Sequence, residues 1–300
     1  MHILTLLQYV ALASALPRQH HSNPINCPII FDGRIPQNLT LASFDSAATS
    51  PYSPTYVKGE NLTWSQILLL SNQTPPSRFD NPTQHKPIEV TINDASLFHS
   101  GAGLQIGFRR AGLLLKDDKN AAGADSADEG AVTFHWSVRQ DAARPLNLSH
   151  EYMNVWHEKA DYSGNQFSFV GGVVLKVDGG TGEDSPEERE KWRVQNARNE
   201  FIFETKIRYD VWQNFAVRLD YVNSTIQVFY SSGQEPLKEV TMPLPNENSG
   251  GGQLQLGIAK KPTETETVVW DGYQEAMPKG EGQIYGGVFV EKSSDGCVSR

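Results

Sequence analysis

The segment Trp212-Gln-Asn-Phe-Ala-Val-Arg-Leu-Asp-Tyr-Val222 carries the pattern that decides the fold. Phe215, Val217, Leu219 and Tyr221 alternate with Asn214, Ala216, Arg218 and Asp220, so each set occupies its own side of an extended strand. Thr133-Phe-His-Trp-Ser-Val-Arg139 reads the same way, with Phe134, Trp136 and Val138 opposite His135, Ser137 and Arg139. Runs beginning at Thr225, Gln253 and Ile284 repeat the alternation at intervals of about 10 to 30 residues, with Gly, Pro, Asn and Asp between them. Many short alternating strands with few helical stretches predict an all-β sandwich or jelly roll. The clearest helix is short, residues 63–70, closed by Ser71-Asn72 and Pro75-Pro76.

Composition narrows the function classes. The 300 residues carry 26 Lys and Arg against 35 Asp and Glu, a formal net charge of −9. Binding nucleic acid through phosphate neutralisation needs a basic face, so the balance argues against that partner. After the first sixteen residues no apolar run approaches the roughly 20 needed to span a bilayer as a helix. Residues 3–16 (ILTLLQYVALASAL) have the length of a signal-peptide core, and Ala13-Ser14-Ala15 predicts cleavage after Ala15. Residues 1–15 are therefore read as a signal peptide, 16–26 as a lead-in, and 27–300 as one folded unit. A buried first helix is the alternative for the leading run.

The two cysteines, Cys27 and Cys297, stand near the two ends of the mature chain. In a secreted protein they predict one bridge joining the termini, which also favours a single domain; two free thiols are the alternative. Sequons at Asn38, Asn61, Asn72, Asn147 and Asn223 fit a secretory route and predict surface positions. Two acidic stretches, 116–130 and 178–191, lack the regular ligand spacing of a calcium loop and are read as solvated insertions.

Several catalytic signatures are absent. The chain has no G-x-S-x-G elbow and no phosphate-binding G-x-x-x-x-G-K-[ST] loop, and His150-Glu151 lacks the second histidine of a zinc-binding H-E-x-x-H. What remains is concentrated in Leu148-Ser-His-Glu-Tyr-Met-Asn-Val-Trp-His-Glu158. A carboxylate beside flat aromatic surfaces suits sugar hydrolysis, where acids move protons and rings stack on pyranose faces. On a regular strand Glu151 and His157 share one face while Tyr152, Trp156 and Glu158 share the other. The plainer reading makes Tyr152 and Trp156 core residues and leaves the charges to solvent. Arg109, Arg110, His135 and Arg139 either line the same cleft or form surface ion pairs.

A family resemblance adds to this. Cys27-Pro-Ile-Ile-Phe-Asp-Gly-Arg34, Tyr56-Val-Lys-Gly-Glu60, Pro75-Pro-Ser-Arg-Phe-Asp80, Gly107-Phe-Arg-Arg110, the run from Asp141 to Tyr152, Trp156-His-Glu158, Asn165-Gln-Phe-Ser-Phe169, Asn248-Ser-Gly-Gly-Gly-Gln253, Lys260-Lys-Pro262 and Gly296-Cys-Val-Ser299 resemble glycoside hydrolase family 131. The resemblance spans about 27–300. It implies a secreted fungal β-glucanase with a β-jelly-roll fold and an open substrate groove; the chain is expected to act as a monomer on β-glucan polysaccharide. Such an enzyme would hydrolyse β-1,3/1,6- and β-1,4-linked glucan with inversion and without metal or organic cofactor. It also implies two catalytic carboxylates, of which one maps onto Glu151. In a hydrolase built around Glu151, the nearby Arg109, Arg110, His135, Arg139 and His157 are read as groups that position sugar or tune that carboxylate. The other carboxylate does not map: the family pattern Phe-Arg-Arg-Ala-Glu-Leu reads Phe108-Arg-Arg-Ala-Gly-Leu113 here, with Gly112 at the acid's position. The fork is between an enzyme that recruits another group, with Glu158, Asp161, Glu89 and His157 as candidates, and a lectin-like pseudoenzyme that binds glucan. A polysaccharide lyase using the clustered arginines is a third reading.

Overall fold

The computed structural model describes residues 25–71, 73–176 and 180–300. The predicted signal peptide, most of the lead-in and the Asn72 sequon lie outside the described residues. Two antiparallel sheets face each other. The back sheet runs Lys238–Glu239, Thr225–Ser232, Gln213–Asp220, Ala131–Gln140, Glu281–Lys292, Ile88–Ile92, Leu68–Leu70, with Ile29–Asp32 and Leu244–Pro245 pairing at its margins. The front sheet runs Phe201–Lys206, Lys191–Asn196, Asn165–Gly172, Glu151–Lys159, Gly252–Lys260, Arg109–Leu114. This is the all-β sandwich that the alternation predicts.

Aromatic side chains fill the space between the sheets. Trp136 of the back sheet stacks against Phe167 of the front sheet and Phe215 of its own, each with ring centroids 5.9 Å apart, and Phe169 packs on Phe215 at 4.6 Å. Such offset and tilted pairs add about 0.5–1.5 kcal/mol each beyond the area they bury. The residues that alternate with them in Ala131–Gln140 and Gln213–Asp220 face away from the core. The back sheet covers that outer side with a second apolar cluster of Phe79, Ala216, Phe229, Leu237 and Phe289. The predicted helix is shorter than expected: it spans Trp64–Ile67, and Leu68–Leu70 becomes a strand on Ile88–Ile92. A leucine run with a free sheet edge beside it gains ladder hydrogen bonds by pairing.

The Cys27–Cys297 bridge is formed, with Cα atoms 6.0 Å apart. The acidic stretch 116–130 is not simply solvated. Asp118 is 4% exposed and accepts a hydrogen bond from the Leu254 amide at 2.8 Å, and Ala127 is fully buried. The stretch therefore packs onto the front sheet, where a carboxylate capping an amide offsets part of its desolvation. Asn38, Asn61 and Asn223 are exposed and Asn147 is half-buried.

Candidate active site

The strand Glu151–Lys159 is not regular, and this rearranges the expected faces. Its pairing with both neighbours slips between Met153 and Val155, which places a bulge at Asn154. A bulge inserts one residue and inverts the alternation beyond it. Tyr152, Val155 and His157 consequently face the core, while Glu151, Trp156 and Glu158 face outward. His157 packs against Phe134 and Phe167 with centroids 5.0 and 6.2 Å away, and burial pushes its imidazole down to about 3. His157 is thus separated from Glu151 and belongs to the interior.

Glu151 sits at the start of this strand, 3% exposed. Its Oε1 pairs with Lys261 Nζ at 2.5 Å, and its Oε2 accepts from the Leu175 amide at 2.6 Å. The Lys261 amide returns to the Glu151 carbonyl at 2.8 Å, so backbone and side chain lock the same two residues. Next to it, His150 Nδ1 bonds the Lys261 carbonyl at 2.7 Å and Nε2 meets Glu275. Both Glu151 oxygens act as acceptors, one from the Lys261 ammonium and one from the Leu175 amide.

Gly112 lies on the outward face of Arg109–Leu114, opposite Gly257. Its N–H and C=O exchange hydrogen bonds with Val57 at 2.8 and 3.0 Å, so residues around Val57 cover this sheet edge. A Cβ added at Gly112 would stand 2.9 Å from Gln255 Oε1 and 3.2 Å from the Trp156 ring. Gln255 thus occupies the start of the path an acidic side chain would take. It accepts from Arg110 Nη2 at 3.1 Å and donates through Nε2 to Glu158. Arg110 is buried, lies over Trp156 and Phe98 at 5.6 and 5.4 Å, and burial pushes its guanidinium below the usual value while the Glu158 charge opposes that.

The remaining predicted residues separate. Arg109 turns to the carbonyls of Ile106 and Phe108 at 2.9 and 3.0 Å, at the strand's end. His135 lies on the opposite side of the sandwich, bonded to Glu291 at 2.9 Å and stacked on Phe289 at 4.2 Å. Arg139 shares its strand face, so it too is away from Glu151, and the arginine cluster behind the lyase reading is not assembled. Glu89 also belongs to the back sheet, bound by Arg144 at 2.7 and 2.8 Å. Asp161 is exposed in a turn and binds Ser163. Glu158 does face outward, but it is seven residues from Glu151 on one strand, roughly 23 Å at about 3.3 Å per residue. An inverting carboxylate pair needs about 6.5–9.5 Å, so Glu158 does not partner Glu151 across one glycosidic bond.

Two groups escaped the sequence reading: Lys261, which holds Glu151, and Gln255, which fills the space at Gly112. Lys261 was visible only as part of the Lys260-Lys261-Pro262 block, and no signal marked Gln255. A cavity of about 560 Å³ lies on the other side of the molecule, lined by Cys27, Arg34, Arg78, Asp80 and Gln234 among others. Among the described residues, no three His, Cys, Asp or Glu side chains gather in a metal-binding arrangement.

Comparison with known proteins gives the family and the fold. The model of the family described as glycoside hydrolase 131 catalytic N-terminal domain matches residues 29–296. Among solved structures, a beta-glucanase catalytic domain from Podospora anserina superposes with a TM-score of 0.66 at 19% identity, covering 89% of this chain and 96% of that one. A catalytic domain from Coprinopsis cinerea gives 0.66 at 18%, covering 90% and 100%. At these identities the superpositions establish the shared fold. No curated protein sequence matches.

Proposed function

Because this chain belongs to the glycoside hydrolase 131 catalytic-domain family, we propose that it is a secreted β-glucan hydrolase in which Glu151 is the general base and position 112 supplies no general acid. The observation that carries this is the Glu151 carboxylate: buried, outward on the front sheet, and accepting from both Lys261 and the Leu175 amide. In inverting hydrolysis one carboxylate takes a proton from the attacking water while an acid protonates the leaving oxygen. Glu151 fits the first role. The second has no side chain at Gly112, and loss of one acid–base partner costs about 10² to 10⁴ in rate. Attack by water then has to expel a poorly protonated alkoxide, so the rate becomes sensitive to how good the leaving group is. The same reading makes residues 27–300 a single monomeric catalytic unit acting on β-1,3/1,6- and β-1,4-linked polymer.

One observation favours a second reading, a glucan-binding protein without turnover: the space at Gly112 is filled by Gln255 and Trp156 rather than left open to solvent. A leaving-group series separates the two. The hydrolase cleaves dinitrophenyl β-glucosides or oligoglucosides at least about a hundredfold faster than the matching glucan linkage. Binding of laminarin and cello-oligosaccharides with no release from either substrate class establishes the binding protein instead. A protein that neither binds nor cleaves any β-glucan defeats both readings.

A further inference from the structure

Five of the six tryptophans are at most 3% exposed, whereas Trp270 is 40% exposed. Trp270 stands near the tip of the loop that begins at Pro262, directly after the Lys261 that holds Glu151, so the loop continues from the Glu151 end of the front sheet. The loop is closed at its base by paired backbone hydrogen bonds between Thr263 and Tyr273 at 3.1 and 2.7 Å. Inside it, Asp271 ties the chain together, accepting from Thr265 Oγ1 at 2.5 Å, Thr267 N at 3.0 Å and Thr267 Oγ1 at 2.9 Å. Thr267 Oγ1 in turn accepts from the Trp270 amide at 3.1 Å. The Thr265 hydroxyl and the backbone amides hold the Asp271 carboxyl down at about 2, so the knot stays charged through the acid range.

Two further features show that this conformation is imposed. Glu264 and Val268, neither of them glycine, adopt φ of 50° and 65°. Left-handed backbone at a β-branched valine costs of order 1–3 kcal/mol and persists where the surroundings dictate it. The loop is also seated: the Gly107 amide donates to the Val269 carbonyl at 2.9 Å, and Gln274 donates to the Gly107 and Lys260 carbonyls at 2.8 and 3.2 Å. A Cβ at Gly107 would stand 2.1 Å from the Val268 carbonyl oxygen, which explains the glycine there. A Cβ at Gly103 would stand 3.9 Å from the Trp270 ring, so the ring lies against the segment that carries Leu104 and Ile106, which are 39% and 52% exposed, while Tyr273 of the same loop is 51% exposed. A large flat ring, kept out of the core on a strained and cross-tied loop, is costly unless something covers it.

We propose that Trp270, with the exposed Tyr273 three residues further along the same loop, forms a stacking platform for pyranose rings of a β-glucan chain that extends beyond the cleavage position at Glu151. This rests on the glucan reading above, and adds to it a chain-gripping surface that does no chemistry. The apolar face of a glucopyranose presents axial C–H groups to an aromatic ring, and the hydroxyls stay at the rim in water. A ring held in place loses little freedom on binding, which is where preorganisation gains affinity. The platform discriminates by chain length rather than by linkage: short aryl glucosides do not reach it.

Titration with laminarihexaose and cellohexaose, followed by calorimetry and by tryptophan emission, tests this. Trp270→Ala weakens hexaose binding about tenfold, the scale of one lost stacking contact. Trp270→Phe keeps part of it, and Asp271→Ala weakens binding with the ring still present. The emission change on binding disappears in Trp270→Phe. Tyr162→Ala, at a residue 71% exposed in a distant turn, leaves the affinity at the wild-type value. Hexaose binding by Trp270→Ala equal to wild type overturns the platform and leaves the hydrolase reading standing. A wild-type protein that binds neither hexaose overturns the glucan reading and the platform with it.

Discussion

The two outer faces of the sandwich carry similar residue types and are finished in opposite ways. On the back, His135 is bonded to Glu291, whose oxygens also accept from Ser299 N and Oγ at 2.8 and 2.6 Å, and the Cys27–Cys297 bridge lies alongside. The chain ends thus seal that face, and its buried charges are spent on holding them. On the front, Glu151, Arg110 and Trp156 are just as buried, yet their partners are groups that also border the outward surface: Lys261, Gln255 and Glu158. The difference teaches that a buried charged residue marks a site only once the element covering it is known.

The largest effect comes from cutting the seal. A bridge closing so long a loop is worth up to about 5 kcal/mol in the chain-entropy account. Cys27→Ser with Cys297→Ser lowers the midpoint of thermal unfolding by the corresponding amount, and the turnover of dinitrophenyl glucoside at 25 °C stays within twofold of wild type. Loss of that turnover in a protein still folded by circular dichroism would break the separation of the two faces.

Next comes the occupied space on the front. Gly112→Glu alone overpacks against Gln255 and Trp156 and costs about 1–3 kcal/mol. Adding Gln255→Ala opens the path, recovers much of that stability, and raises glucan turnover at least tenfold relative to wild type by restoring a proton donor. A double variant as stable as wild type with unchanged turnover shows that position 112 is not where the acid is missing.

The smallest effect concerns the acidic stretch between the faces. Burial first, and Asp125 next, push Asp128 up to about 7. Its surroundings are Asp118, Asp125, Glu129, His157 and the Tyr221 hydroxyl. In the unfolded chain Asp128 releases its proton near pH 4. Between about 4 and 7 the folded state therefore holds more protons, so rising pH lowers the stability that Asp128 contributes. His157, held near 3 when folded, works in the opposite direction below about 6.5, but is common to both proteins compared. The unfolding midpoint of Asp128→Asn minus that of wild type accordingly rises from pH 4 to pH 8. A flat difference shows that Asp128 is ionised throughout.

Much of the architecture was legible because strand alternation is local. Phe134, Trp136, Phe215 and Val217 announce a core face without reference to the rest of the chain. The paired cysteines were legible because only two exist. Of the proposed site, the family blocks marked one residue, Glu151. What stayed hidden depended on distant or irregular geometry. The bulge at Asn154 leaves no mark in the sequence, yet it sends His157 inward and Trp156 outward, the reverse of a regular strand. Alternation shows that His135 and Arg139 share a face but not which sheet's outer side that is. Lys261 reaches Glu151 across more than a hundred residues of chain, and Gln255 meets Gly112 only because two strands pair in a particular register.

The central claim is that Glu151 performs the chemistry on the front face. Its most direct test is the initial rate of reducing-end release from β-1,3/1,6-glucan by wild type and Glu151→Gln, measured side by side with hexaose affinity. Wild-type release is slow but measurable, it falls at least about a hundredfold in the variant, and the two affinities agree within threefold. Equal rates in the two proteins, or no release by wild type at any protein concentration, would contradict that claim.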